Sequence, residues 1–334
     1  MVSDAKEKIS ALDYNNRGVD YYNQKIYDEA IKDFTQSIEL DPDVAQTYYN
    51  RGLSLSALKH YKQALKDFSK AVELDPDYTD AYHDRGVAHK ELQQHSAAIE
   101  DFTQAIELGI VGGTVYSNRG FSLLKLERYE QAKEDFTRAA SIGFETANAH
   151  YYLGVCCIEL QQYTEAAANL SKAILSSPNS AELYYKRGIS YEKLKQYGRA
   201  SEDFDRAVEL GLTDAQIYYE RGATRQNFSR HAEAVEDFTR AIELDFNSAE
   251  IYYRRGYSRD ELKQYTEAIE DFDKALELDP DYIKAYNNRS VCYFNLKRYA
   301  KAANDIKKAL ELDPSEPIYR ENLEICRRMM RIKK

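Results

Sequence analysis

Eight arginines stand in one phase along this chain: Arg17, Arg51, Arg85, Arg119, Arg187, Arg221, Arg255 and Arg289. Sixteen residues after each comes an aspartate: Asp33, Asp67, Asp101, Asp135, Asp203, Asp237, Asp271 and Asp305. A guanidinium presents a planar fork of N–H donors that fits both oxygens of a carboxylate, so these pairs offer bidentate ion pairing. One segment lacks both partners and carries Leu153 and Asn169 instead. Their joint loss says that each arginine pairs with the aspartate that follows it. Arg221 with Asp237, and Arg255 with Asp271, are therefore expected to be structural ion pairs, which fix register more surely than they add stability. The competing reading is an arginine row that binds a ligand.

Little else has the spacing that catalysis requires. No G-x-S-x-G, H-E-x-x-H, phosphate-loop or EF-hand pattern occurs. Acids are abundant on helix faces but define no pocket by themselves. His150 and Cys157 are seven apart and share a helix face, yet both fall at packing positions. Cys156, Cys157, Cys292 and Cys326 have no C-x-x-C or zinc-type spacing. The chain is expected to be no enzyme, with no catalytic residue, no metal and no cofactor.

The elements that carry these side chains repeat every 34 residues. Gly18, Gly52, Gly86, Gly120, Gly154, Gly188, Gly222 and Gly256 are each 34 apart, and Ser290 takes the ninth place. The chain divides into an extension, 1–10, nine repeats, 11–44, 45–78, 79–112, 113–146, 147–180, 181–214, 215–248, 249–282 and 283–316, and a segment, 317–334, expected to form a capping helix with a basic end. Each repeat reads as two helices. In the second repeat Tyr61, Ala64, Leu65, Phe68, Ala71 and Val72 form one apolar helical face, and Tyr48, Gly52, Leu55 and Leu58 mark the helix before it. Asp-Pro ends the second helix in repeats 1, 2, 8 and 9, and Ser-Pro in repeat 5. Gly109-Ile110, Gly143-Phe144 and Gly211-Leu212 read instead as Schellman stops. Each repeat exposes an apolar face that only a neighbour covers. At the end of the row, Tyr319, Leu323 and Ile325 are expected to pack on repeat 9, leaving Arg327, Arg328, Arg331, Lys333 and Lys334 to solvent.

The pattern aromatic-x3-G-x11-A-x3-F-x2-A-x4-P at this period resembles the tetratricopeptide repeat, over about 306 of 334 residues. The departures are Tyr for Trp at position 4 and Arg for Leu at position 7. The resemblance implies an all-α, right-handed superhelical solenoid of antiparallel helix pairs whose first helices line a concave face. It also implies that positions 2, 5, 9, 12 and 13 face that groove. Position 5 holds Tyr49, Tyr151, Tyr185, Tyr219 and Tyr253. A tyrosine row along repeats 5–8 is either a rigid recognition surface or the inheritance of a recently duplicated repeat. Tyrosines at positions 4 and 17 are read as packing. Asn16, Asn50, Asn118 and Asn288 at position 6 match the amide ladder by which related superhelices hold an extended peptide backbone. The alternative is that Asn is simply common before Arg-Gly, and Asp84 interrupts the row. Groove positions hold eight acids (Asp80, Glu91, Glu159, Glu182, Glu192, Glu250, Asp260, Glu261) and four bases (Lys90, Lys125, Lys193, Lys284).

The expected function is thus a protein-interaction scaffold that takes a peptide or helix of a neutral to basic partner. The alternatives are a chaperone adaptor for acidic C-terminal tails and the regulatory arm of a larger enzyme. The adaptor reading needs a clamp of Lys and Asn over three repeats. Repeats 1–3 supply only Asn50 of it, with Asp80 and Asp84 where cations belong, and repeats 7–9 supply only Arg254 and Lys284.

Composition agrees with this class. With 46 Lys plus Arg and 56 Asp plus Glu, the net charge of −10 excludes a general nucleic-acid binder. Hydrophobic residues at 43 % suffice for a core, and 14 Gly with 6 Pro in 334 residues favour helices. No apolar run approaches a membrane span, the first ten residues have no apolar core of a secretory signal, and the four thiols read as reduced, buried side chains, so a cytoplasmic location is expected. Ala147–Ser180 carries only Glu159, Glu165 and Lys172 as charges, which marks either a partner or self-association patch or ordinary drift. The basic tail reads as a solvated cap in preference to a contact with anionic lipid or nucleic acid.

Overall fold

A small residue, an aromatic and an alanine at fixed offsets make each repeat a helical hairpin. In a computed structural model that describes residues 9–142 and 147–332, the chain forms nineteen α-helices and, among the described residues, no strand. The pairs are α1 (Ala11–Asn23) with α2 (Tyr27–Leu40), α3 (Ala45–Ala57) with α4 (Tyr61–Leu74), α5 (Thr79–Glu91) with α6 (His95–Glu107), α7 (Gly113–Lys125) with α8 (Tyr129–Ser141), and α9 (Ala147–Glu159) with α10 (Tyr163–Ser176). They continue as α11 (Ala181–Lys193) with α12 (Tyr197–Glu209), α13 (Ala215–Asn227) with α14 (His231–Glu243), α15 (Ala249–Glu261) with α16 (Tyr265–Leu278), and α17 (Ile283–Asn295) with α18 (Tyr299–Leu312), closed by α19 (Pro317–Ile332). Two compact units result, 1–176 and 177–334. Within each, every helix packs on the next, and each first helix also touches the first helix of the following repeat. This is an all-α solenoid. The side on which equivalent helices approach one another is its inner face.

The hairpin closes on one contact. Phe34, Phe68, Phe102, Phe136, Phe204, Phe238 and Phe272 are fully buried, each beneath the glycine of its own first helix. A Cβ on Gly52 would lie 2.6 Å from the Phe68 ring, and one on Gly188 2.8 Å from Phe204, so the glycines are there for close approach. Repeat 9 has changed both sides of the contact: Ser290 and Ile306, both buried, replace glycine and phenylalanine.

The chain stops use left-handed backbone. Gly109 at φ +97 and Gly211 at φ +99 end α6 and α12, with Ile110 N–H donating to the Ala105 carbonyl and Leu212 N–H to that of Ala207, as the Schellman reading requires. The Gly143-Phe144 stop lies outside the described residues. Repeat 7 makes the same stop with Asp245 at φ 72 and Phe246 donating to Ala241. Between the two helices of every repeat sits one more left-handed residue, never glycine: Lys25, Lys59, Gln93, Glu127, Gln161, Lys195, Ser229, Lys263 and Lys297.

At the end, α19 packs on α18 with Leu323 and Cys326 buried and Tyr319 partly so. Ile325, expected to join them, is 43 % exposed. The helix turns one position further than expected, so the small thiol of Cys326 takes the inward place. Arg327, Arg328 and Arg331 are exposed, while Lys333 and Lys334 lie outside the described residues. All four cysteines are free and buried. No described helix is long and apolar enough to cross a membrane.

Candidate functional site

Each arginine of the periodic row lies against the aspartate of its own repeat. Arg119 donates from Nε to Asp135 Oδ2 at 2.8 Å and from Nη2 to Oδ1 at 2.7 Å, and Arg187 repeats both distances on Asp203. Arg221 reaches Asp237 at 2.6 Å and Arg255 reaches Asp271 at 2.6 Å. The tyrosine three residues earlier covers the guanidinium from Arg17 over Tyr14 to Arg289 over Tyr286, at 5.2 to 5.9 Å from ring centre in all eight repeats. On these sides the arginines are engaged by groups of their own repeats.

The pattern of arginine and aspartate leaves one further partner out. The third nitrogen of the fork crosses to the preceding repeat: Arg51 Nη1 donates to Thr35 Oγ1, Arg119 to Thr103 and Arg255 to Thr239, each at 3.1 Å. Where aspartate replaces threonine the link becomes ionic, Arg221 to Asp205 at 3.0 Å and Arg289 to Asp273 at 2.5 Å. One guanidinium thus closes its own hairpin and ties it to the one before. A signal for this exists in the sequence: position 25 reads Thr35, Ser69, Thr103, Thr137, Ser171, Asp205, Thr239 and Asp273 in the first eight repeats and Lys307 in the last, where Leu323 stands sixteen residues on in place of an arginine, although Thr137 keeps the pattern ahead of Leu153.

The position-5 tyrosines are partly buried. Tyr185, Tyr219 and Tyr253 lean on the phenylalanine of their own repeat with centroids 6.0, 6.2 and 6.0 Å apart and interplanar angles of 49°, 52° and 43°. Tyr49 does the same on Phe68 at 5.9 Å. Tyr151 departs from the pattern: Leu170 stands where the phenylalanine would be, and its ring meets Tyr152 at 5.1 Å instead. Tyr151 belongs to the first unit, and Tyr185, Tyr219 and Tyr253 to the second. Burial pushes the Tyr185 phenol up to about 12, and raises those of Tyr219 and Tyr253 as well, so all three are neutral hydroxyls.

Of the position-6 amides, Asn50 donates to Asn15 Oδ1 at 3.3 Å and accepts from Gln46, Asn118 accepts from Lys90 Nζ at 2.9 Å, and Asn288 donates to the Tyr253 hydroxyl at 3.3 Å. Asn16 is exposed. Several groove acids are also engaged. Glu250 pairs with Arg254 at 2.5 Å and accepts from the Tyr282 hydroxyl, and Asp260 accepts from the Cys292 thiol at 3.3 Å. Glu192 lies 3.2 Å from Lys193. Fewer acids face a ligand than a count along the sequence implies.

With Asn50 engaged, Asp84 holding the Tyr49 hydroxyl at 2.8 Å, and Arg254 tied to Glu250, the residues nearest to a tail clamp are already committed. Peptides ending in Glu-Glu-Val-Asp are expected to bind weakly or not at all in fluorescence anisotropy. Saturable low-micromolar binding would overturn that expectation.

Family models for the tetratricopeptide repeat match residues 11–44, 45–78 and 249–282, residues 181–213 and 283–316, and residues 79–108, 113–142 and 215–248, and a further TPR repeat model matches 157–195. Among solved structures, the chain is similar to YrrB, described as a TPR protein with an unusual peptide-binding site: 26 % identity, 53 % of this chain and 92 % of that one, TM-score 0.51. The C-terminal part of a TPR repeat-containing protein from Cytophaga hutchinsonii shares the fold at 18 % identity, with 71 % and 98 % covered and a TM-score of 0.58. So does a tetratricopeptide repeat protein from Parabacteroides merdae, at 17 % identity, 74 % and 98 % covered, TM-score 0.50. No curated protein is significantly similar to this sequence.

Proposed function

Since the chain belongs to the tetratricopeptide repeat family, we propose that it is a non-enzymatic interaction scaffold that seats an extended peptide of a protein partner on the inner face of repeats 6–8. One observation carries this reading: Tyr185, Tyr219 and Tyr253 recur on successive first helices in one packed orientation. Rings held in place by their own core lose little entropy on binding, and each adds a neutral hydroxyl. The description of YrrB as peptide-binding supports the same use. Partner charge is neutral to basic, favoured by the exposed Glu182 and Glu261.

Tyr219→Ala and Tyr253→Ala are each expected to weaken a peptide recovered by display selection by about 1–3 kcal/mol with the helical signal intact. Glu236→Ala, on an outward-facing second helix, should leave affinity unchanged. Tyrosine variants that bind as the parent does would sink the proposal.

A further inference from the structure

The first unit contains a cavity of about 680 Å³ on the inner face of repeats 3–5. Its lining comes from α5, α6, α7 and α9, and includes Lys90, His95, Asn118, Phe121, Lys125 and Tyr152. This volume suits several side chains of a ligand and not a single water or ion. The floor is aromatic: Phe121 meets Tyr152 edge-on at 5.6 Å, and His95 meets Phe121 at 6.3 Å. Phe121 stands where most repeats carry an aliphatic residue, and His95 where seven of the nine carry tyrosine.

Two ammonium groups stand over this floor. Lys125 Nζ is 5.3 Å and Lys90 Nζ 6.0 Å from the centre of the Phe121 ring. A ring face holds a cation in place without neutralising it. Lys90 also donates to Asn118 and lies 3.4 Å from Glu91, which is 41 % exposed. Among the described residues no carboxylate lies within ion-pair distance of Lys125. The Nδ1 atom of His95 is buried without a hydrogen-bond partner. In a chain of net charge −10, this cavity collects two cations and one acid.

We propose that the cavity is an acid subsite, in which Lys90 and Lys125 grip the carboxylate of a Glu or Asp side chain within an extended peptide segment while its stem lies on Phe121 and Tyr152. It rests on the reading of the chain as a peptide-binding scaffold and adds a second site with the opposite charge preference. The surroundings select a short anion. Asp80 and Asp84 lie on α5, the helix that carries Lys90, and repel a continuous polyanion such as nucleic acid. Burial, then Lys125 and Lys90, lower the basicity of His95, so the imidazole stays neutral and the two lysines alone supply the positive charge.

The test uses the full chain and an array of N-acetylated, C-amidated decapeptides in which each sequence appears with Glu, Gln, Lys or phosphoserine at its centre. Glu members should bind at least about tenfold better than their Gln twins. Lys125→Ala and Lys90→Met should each erase that ratio. The double charge reversal Lys90→Glu with Lys125→Glu should transfer preference to the Lys members, which a misfolded variant cannot do. Equal binding of Glu and Gln twins, or a Glu preference that survives Lys125→Ala, overturns the subsite. So does binding of phosphoserine members alone, which would mark a phosphate site, or binding of a second copy of the array with free C-terminal carboxylates but not of the amidated one, which would mark a tail clamp. If peptides bind without charge preference and Tyr219→Ala weakens them, only the acid subsite fails. If no peptide binds, both readings fail.

Discussion

Arg119→Leu is expected to destabilise the first unit by about 2–4 kcal/mol, and Arg119→Leu with Asp135→Asn to recover a large part of that loss. Removing one partner of a buried pair strands the other without compensation, whereas removing both leaves little to satisfy. The Asp135 side chain is 7 % exposed and that of Arg119 21 %, so the stranded group is the buried carboxylate, and residual solvation of the arginine holds the cost below the top of the usual range. Repeat 5 is the natural double variant: Leu153 is buried there, and Asn169 donates to the Glu165 carbonyl at 3.1 Å. Urea unfolding of the two singles and the double gives the coupling, expected to exceed about 1 kcal/mol. Additive effects would show that the pair does not interact. At Arg221 and Asp237 the costs should be unequal. Asp237 also accepts from Arg225 at 2.8 Å, so Asp237→Asn takes an ionic partner from two guanidiniums and leaves both to share Asp205, whereas Arg221→Leu leaves Asp237 paired with Arg225, and the aspartate change costs more.

The second large effect is steric. Gly256→Ser places a Cβ 2.9 Å from the Phe272 ring, which is wholly buried, and should cost about 1–3 kcal/mol through forced displacement. Phe272→Ile alone leaves a void and should cost a similar amount. Together they reproduce the Ser290 and Ile306 contact of repeat 9, so the double variant is expected to lose clearly less than the sum of the singles. Thermal unfolding followed by circular dichroism reads the three values. A double variant as damaged as the sum would mean that serine in repeat 9 has some other cause.

Features that recur in phase are legible in the amino-acid sequence, because 34-residue periodicity multiplies each weak signal. Joint loss of Arg and Asp in repeat 5 exposes the pairing within repeats. Features without a distinctive residue are hidden. Left-handed turns such as Lys59 at φ 60 carry no glycine to mark them, and the stop at Asp245 has neither glycine nor proline. Threonines such as Thr103 look like ordinary solvated helix residues until the arginine of the next repeat is placed beside them. The inward turn of Cys326 in place of Ile325 depends on one step of helical phase, which a single terminal helix does not fix. The candidate site is half legible. Tyrosine at position 5 is visible as a row, but its lean on Phe204, Phe238 and Phe272 is not. Along the sequence Lys90 and Lys125 are scattered bases. They meet only because two neighbouring first helices bring them to the one aromatic ring at Phe121.

Photo-cross-linking locates the bound peptide on the inner or the outer face. A benzophenone amino acid is placed singly at Tyr219 on the inner face or at Glu236 on an outward second helix, and each variant is irradiated with a display-selected peptide. Adducts are expected from position 219 and none above background from position 236. Adducts from 236 with none from 219 would contradict a peptide seat on the inner face.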